Sequence, residues 1–250
     1  MTEKQKFPSE VIDLPSQGKL YPEDSPLRSG KIEIKYMTAK EEDILTSQNL
    51  LKKGIAIDRV LDSLIITKGI KSDDLLIGDK NAIMIAARIL AYGPEYTVEL
   101  TDPNTDEKFN HTFNLTDCPF KKLPEDVDLS LNEFDIELPI SKVKIKFKLL
   151  TGRDETLVAS EIKKSQKFGV SSEITTRLRF SIIEVDGKTE SAIINNFVNN
   201  MLSRDSLFLR QEMVRIMPDI DLKQEVEIGG DVVEADIPLT TEFFWPKSIR

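Results

Sequence analysis

The chain holds one cysteine, one histidine and one tryptophan in 250 residues, and each scarcity removes a class of function. Cys118 alone excludes an internal disulfide and fits a reducing compartment. With a single His111 beside it there is no Cys/His set for a metal. No G-x-S-x-G elbow or comparable frame surrounds His111, so no nucleophilic triad can be assembled, and its phase with Phe109 and Phe113 makes it a packed residue. Cys118 precedes a proline in a loop and reads as an incidental thiol. There is no Gly-rich phosphate loop: Gly229-Gly230 falls in a hairpin turn and Gly152 at a helix start. Asp102, Asp106 and Glu107 lack the spacing and the glycine of a Ca²⁺ loop. Basic residues are the minority, 34 against 43 acids, and the net charge of −9 argues against a general nucleic-acid binder. No apolar run approaches the roughly 18 residues of a membrane span, and Met1 to Lys6 lack a signal core. The expectation is a protein with no enzymatic activity, cofactor, metal, nucleic acid, membrane or small-molecule substrate.

What is present is enough apolar sequence for real cores, 40% hydrophobic against 31% charged, and a stretch that occurs twice. Residues 31–42 read K-I-E-I-K-Y-M-T-A-K-E-E and residues 144–155 read K-I-K-F-K-L-L-T-G-R-D-E. In each, alternation describes a half-buried strand (Ile32, Ile34, Tyr36; Ile145, Phe147, Leu149). A threonine then ends it, with an acid three residues on. Thr38 with Glu41, and less ideally Thr151 with Asp154, have the form of a capping box. Upstream, Ile12-Asp13-Leu14-Pro15 matches Ile136-Glu137-Leu138-Pro139. Downstream, runs beginning at Asp79 and Asp205 reach Arg88-Ile89 and Arg215-Ile216 in the same order.

The sequence thus predicts an α+β chain of tandem duplicated domains, each a leading strand, a small helical bundle and a closing β-hairpin. The expected division is an extended N-terminal arm over 1–30, a first repeat domain over 31–116, a linker over 117–133, a second repeat domain over 134–240 and an aromatic tail over 241–250. Within the first repeat, helices are expected from Thr38 to Lys53, along the Ile57–Ile65 stripe, and from Asp79 to Tyr92, followed by a hairpin turning through Asp102–Asp106. In the second, helices are expected from Thr151 to Phe168, up to Ser181, along Ile194–Leu202, and from Asp205 to Met217. A tight type I′ turn at Asp186-Gly187 and a hairpin over Glu225–Pro238 complete it.

Both ends are unusual. Pro8, Pro15, Pro22 and Pro26 keep the first 30 residues out of regular structure, yet Phe7, Leu14, Tyr21 and Leu27 are too apolar for a solvated tail. Phe243, Phe244 and Trp245 sit where most chains fray. Leaving a large apolar side chain in water costs roughly 1.5–3 kcal/mol. These seven residues are therefore expected to be docked, on their own domain or on a partner, and are the candidate partner-binding residues.

Several short motifs in one order carry a resemblance that spans nearly the whole chain. Leu14-Pro15-Ser16-x-Gly18-x-Leu20-Tyr21-Pro22, Tyr36-Met37-Thr38-Ala39-Lys40-Glu41-Glu42-Asp43, Leu150-Thr151-Gly152-Arg153-Asp154-Glu155 and Phe243-Phe244-Trp245-Pro246 resemble the baseplate hub and hub-assembly family of T-even-type contractile-tailed phages (myoviruses). Some members of that family carry Cys-Pro-x-Cys knuckles in the hairpin turns. Here those turns read Asp102-Pro103-Asn104-Thr105 and Ile228-Gly229-Gly230-Asp231, so no structural zinc is expected. The resemblance implies a non-enzymatic component or assembly factor of the baseplate hub, with other hub or tape-measure proteins as partners. It also implies residence in the host cytoplasm during assembly and, for a resident subunit, in the tail baseplate. The alternative is a transient tail-assembly chaperone absent from the mature virion.

Overall fold

A computed structural model describes residues 7–102, 105–167, 169, 171–228, 231–239 and 241–244. The architecture is α+β, with eight α-helices and four small antiparallel sheets among the described residues. Strand β1 (Ser9–Asp13) pairs antiparallel with β2 (Lys31–Lys35), in register from Ser9↔Lys35 to Asp13↔Lys31. The connecting loop is buried rather than solvated, with Leu14, Leu20, Tyr21 and Leu27 in the core. The proline-rich arm is thus the first strand and one wall of the first half.

The capped stretch after β2 folds as two helices, α1 (Ala39–Thr46) and α2 (Gln48–Lys53), where one was expected. The break is at Ser47, which has an extended ψ of 105°. Just before it the Thr46 hydroxyl donates back to the Glu42 and Asp43 carbonyls, a local bond that competes with helix continuation. The Ile57–Ile65 stripe lies on α3 (Ala56–Leu64), which buries Val60, Leu61 and Leu64. Ile65 then bridges Ile34, adding a third segment to the small sheet. Helix α4 (Ile77–Tyr92) is buried on nearly every side, and the β3 (Glu95–Thr101) and β4 (Lys108–Asn114) hairpin follows it. The tip of that hairpin, Pro103-Asn104, lies outside the described residues.

Residues 117–133, expected as a linker, pack along both halves. Phe120 bridges Ile220, and the Leu20 amide donates to the Leu129 carbonyl at 3.0 Å. The second half then runs β5 (Phe134–Glu137), β6 (Lys144–Phe147), α5 (Gly152–Lys167), α6 (Glu173–Ser181), β7 (Ile182–Val185), α7 (Ser191–Asn199) and α8 (Ser203–Ile216). The hairpin of β8 (Lys223–Ile228) and β9 (Asp231–Asp236) closes it. Sheet order is β5-β6-β7. Asp186 and Gly187, with φ of 46° and 79°, make the tight turn that leaves β7, the positive φ at both positions being what a type I′ turn requires. Phe168 and Gly229-Gly230 lie outside the described residues. One contiguous hydrophobic core runs through both halves, from Leu14 to Phe244.

Candidate functional site

The ionisable side chains that this fold buries hold backbone. Glu41 is fully buried; its Oε2 accepts the Thr38 amide at 2.9 Å and the Thr38 hydroxyl at 2.6 Å, while Oε1 accepts Lys35 Nζ and the Ser63 hydroxyl. Burial by itself would raise its pKa, but the bonds from Lys35, Ser63 and Thr38 outweigh it and hold the carboxyl at about 2. Asp154 repeats the arrangement with the Thr151 amide and hydroxyl, each at 3.0 Å, and Lys148 Nζ at 2.8 Å. The lysine stands three residues before the threonine both times.

A second pair recurs deeper in. Asp79 and Asp205 are each the third residue of their helix, α4 and α8, and each is fully buried. Asp79 accepts the Ser16 amide at 2.9 Å and the Tyr21 hydroxyl at 2.6 Å; Asp205 accepts the Ile140 and Ser141 amides at 2.9 and 3.0 Å. Both receiving loops begin Leu-Pro, at Leu14-Pro15 and Leu138-Pro139. The electrostatics diverge. Burial drives the Asp79 pKa up despite its hydrogen bonds, whereas at Asp205 the two loop amides overcome burial and hold the pKa down. The Tyr21 hydroxyl accepts from the Leu76 amide while donating to Asp79, and burial next to that carboxylate pushes its pKa far up.

The two halves meet along a seam of backbone bridges joined by one side-chain bond. Thr151 bridges Leu76, the Gly152 amide donates to the Leu75 carbonyl at 2.9 Å, and Asn81 reaches Asp219 at 3.1 Å. Two glycines make it possible: a Cβ at Gly78 would lie 1.7 Å from the Pro218 carbonyl oxygen, and one at Gly152 would lie 2.6 Å from that of Ser72. The seam is closed a second time by the end of the chain. Phe243 and Phe244 are fully buried, Phe243 stacks edge-on against Tyr96 at 5.0 Å, and its carbonyl accepts Arg88 Nε at 3.0 Å. Arg88 Nη1 and Nη2 donate to the Gly93 and Glu95 carbonyls; the side chain has no carboxylate in ion-pair range among the described residues and lies over the rings of Tyr92 and Tyr96. Burial lowers its pKa, with the two tyrosines opposing the shift.

Of the seven expected partner-binding residues, Leu14, Tyr21, Leu27, Phe243 and Phe244 are thus inside the chain's own core, at most 5% exposed. Phe7 is 40% exposed two residues before β1, beneath Lys35 Nζ at 5.1 Å from its ring. Trp245 lies outside the described residues. His111 packs edge-on against Phe113 at 4.6 Å. The Cys118 thiol is half-buried and accepts from Gln224 Nε2 at 3.4 Å; burial pushes its pKa up, against the direction a reactive thiolate needs. No group of three or more His, Cys, Asp or Glu among the described residues could hold a metal ion, and none of the described helices is long and apolar enough to cross a membrane.

What the sequence did not reveal is a hollow of about 480 Å³ between α6 and α8, walled by Ile174, Leu178, Met213, Val214 and Met217 and reaching Ile77 at the seam. Its rim carries Glu155 and Glu173, both paired with Arg177, and Arg210. Lysine-arginine-carboxylate pairs also line a polar hollow of about 490 Å³ beside β7, where Lys148 is bound to Asp154 and Arg179 to Glu161. Neither contains a nucleophile and base in contact.

Compared with known proteins, the chain matches a family model described as T4 bacteriophage base plate protein over residues 8–245. No curated protein and no solved structure matches it.

Proposed function

We propose that this chain, which belongs to the T4 bacteriophage base plate protein family, builds or assembles the hub of the baseplate through protein–protein contacts and catalyses no reaction. Membership makes it a phage tail protein of the baseplate. The hub is the finer step, and it comes from the resemblance of its Leu-Pro-Ser, Thr-Ala-Lys-Glu-Glu and Phe-Phe-Trp-Pro motifs. The observation that carries the non-enzymatic reading is the use of the buried charges. Glu41, Asp79, Asp205 and Arg88 each hold the chain's own backbone, which leaves none of them aimed at a substrate.

The recurrent geometry supports a duplicated unit. Strand pairs β1–β2 and β5–β6, threonine-acid-lysine caps and buried helix aspartates on Leu-Pro loops occur in the same order twice. In this reading β1 and the Leu14-Pro15 loop join the first unit of 31–116, since they stand where β5 and Leu138-Pro139 stand within 134–240. Of the terminal candidates among the described residues, Phe7, two residues before β1, remains open to a partner, and Val11 on β1 is exposed as well. Leu14, Tyr21, Leu27, Phe243 and Phe244 would act by holding both ends in place.

Two locations follow from the proposal. A resident hub subunit stays in the tail baseplate; a chaperone of hub or tape-measure subunits acts in the host cytoplasm and leaves. Mass spectrometry of purified virions, beside tail intermediates from an infection in which this gene is silenced, tests the proposal. Hub-less intermediates are expected on silencing, and presence in the virion decides for the subunit. Normal hubs without the protein would refute both versions.

A further inference from the structure

Strand β1 is the outermost strand of its small sheet: β2 lies on one side of it, and Ile65, which bridges Ile34, lies on the far side of β2. The β1 backbone alternates in direction. The Pro8 carbonyl accepts the Tyr36 amide at 3.0 Å and the Leu14 amide donates to the Gly30 carbonyl at 2.9 Å, so in this register Glu10 and Ile12 also face β2. The N–H and C=O groups of Ser9, Val11 and Asp13 point the other way, and none of them has a hydrogen-bond partner among the described residues. Val11 is 59% exposed. Such edges are ordinarily blunted by a lysine, a proline, a bulge or a covering segment. β1 has no lysine and pairs with β2 without a bulge, and Pro8, just before it, lacks its N–H on the side toward β2.

The strand's own sequence, Ser-Glu-Val-Ile-Asp, is what fits this edge. Two copies laid antiparallel and centred on Val11 put Val11 opposite Val11, Ser9 opposite Asp13 and Glu10 opposite Ile12. Every outward N–H and C=O of Ser9, Val11 and Asp13 then finds a partner, and no like charges stand opposite each other. The neighbouring registers are worse. Sliding the pair one way sets Glu10 on Glu10; sliding it the other way sets Pro15, which has no N–H, opposite Ser9. The outer strand of the other small sheet, β5, is built differently. The Leu138 amide donates to the Val143 carbonyl, so by the same alternation its outward residues are Asp135 and Glu137. Two β5 strands would oppose carboxylates, which protects that edge from self-pairing. The β1 edge has no such protection.

We propose that the outer edge of β1 pairs antiparallel with β1 of a second copy of this chain, about a two-fold axis at Val11, so that two small sheets become one. The contact is self-complementary and closes at two copies, because each copy spends its edge on the other. It is short, 5 residues a side, so the dimer is weak and depends on concentration. The inference stands on the sheet alone and holds whether or not the chain builds hubs.

Sedimentation velocity of the full chain tests it, at about 0.15 M salt, where charges more than about 8 Å apart are screened and the −9 on each copy matters least. A monomer–dimer equilibrium is expected with a Kd between about 1 μM and 1 mM. Val11→Lys and Val11→Glu should each raise that Kd about tenfold or more, since each sets like charges together at the axis. An equimolar mixture of the two variants should form a mixed dimer more tightly than either forms its own. Thermal melts of dilute variants, expected within a few degrees of the parent, establish that they fold. Should a variant unfold, the parent alone still answers. By NMR hydrogen exchange the Ser9, Val11 and Asp13 amides should exchange several-fold more slowly in concentrated than in dilute solution, while those of Glu10 and Ile12 are protected in both. A parent that stays monomeric overturns the proposal and leaves the edge to a strand of some other protein. A dimer that Val11→Lys leaves intact, a mixture no tighter than its components, or outward amides indifferent to concentration would overturn it equally.

Discussion

Replacing Gly78 by alanine sets two effects of opposite sign against each other. Gly78 lies in the first turn of α4, where alanine's helix propensity alone would add up to about 1 kcal/mol of stability. The new Cβ, however, would sit 1.7 Å from the Pro218 carbonyl oxygen, where real Cβ contacts do not fall below 3.0 Å. The obstacle is backbone, not a side chain that can swing away, so α4 and the segment after α8 must part by more than an ångström. Overpacking of this kind costs typically 1–3 kcal/mol and occasionally more. The same movement stretches the 3.1 Å bond from Asn81 to Asp219, worth about 1 kcal/mol. With the propensity gain counted in full, the sum is a loss of about 1–3 kcal/mol, which for a chain of this size lowers Tm by roughly 2–12 °C. Calorimetry gives the shift, and hydrogen exchange locates it: amides at the start of α4 and around the Phe120–Ile220 bridge should exchange faster, while those of β6 and β7 should not. Gly152→Ala, with its 2.6 Å approach to Ser72, should move stability the same way by less. A Gly78→Ala protein that melts at or above the parent temperature would refute the close-packed seam.

Asp205→Ala removes the acceptor for the Ile140 and Ser141 amides at a buried position, and should cost about 2–4 kcal/mol, read by chemical denaturation as a lower midpoint with an unchanged slope. Glu41 sets an acid limit. Its folded pKa is depressed from 4.5 to about 2, so its contribution, on the order of 3 kcal/mol, is complete above the unfolded value and lost as pH falls from about 4.5 toward 2. A Glu41→Gln variant should therefore be less stable than the parent at pH 7, and the gap should narrow below pH 4; a gap that stays constant to pH 2.5 would contradict the assignment.

Local structure was legible because it is written within a few residues. Thr38 and Glu41, the stripe on α3, the Asp186-Gly187 turn and the closing hairpins all follow from short-range spacing. The break at Ser47 was not, since apolar and helix-favouring residues continue on both sides of it. Burial of the two chain ends was expected only as one of two outcomes, because composition says that Phe243 must be covered without saying by what. The aspartate–Leu-Pro link was within reach. Ser16 stands 63 residues before Asp79 and Ile140 stands 65 before Asp205, a near-constant interval between two motifs already visible in the sequence. The hollow between α6 and α8 was not, because Ile174, Met213 and Val214 have the same helical spacing as core residues. Their exposure among the described residues is what marks them out, Ile174 and Val214 above all.

The bond between Arg88 and the Phe243 carbonyl spans 155 residues, and it has a temporal side. At synthesis rates of about 5–20 residues per second, Arg88 is made roughly 8–30 s before its acceptor exists. Through that interval the α4 face that Phe243 will cover is open, with a cation that has no acid beside it, a state suited to holding by another protein. The first half can form its strands and helices at once, but Phe243, made 155 residues after Arg88, completes the cover on its core. A chain that stops anywhere before Phe243 would leave that face open permanently.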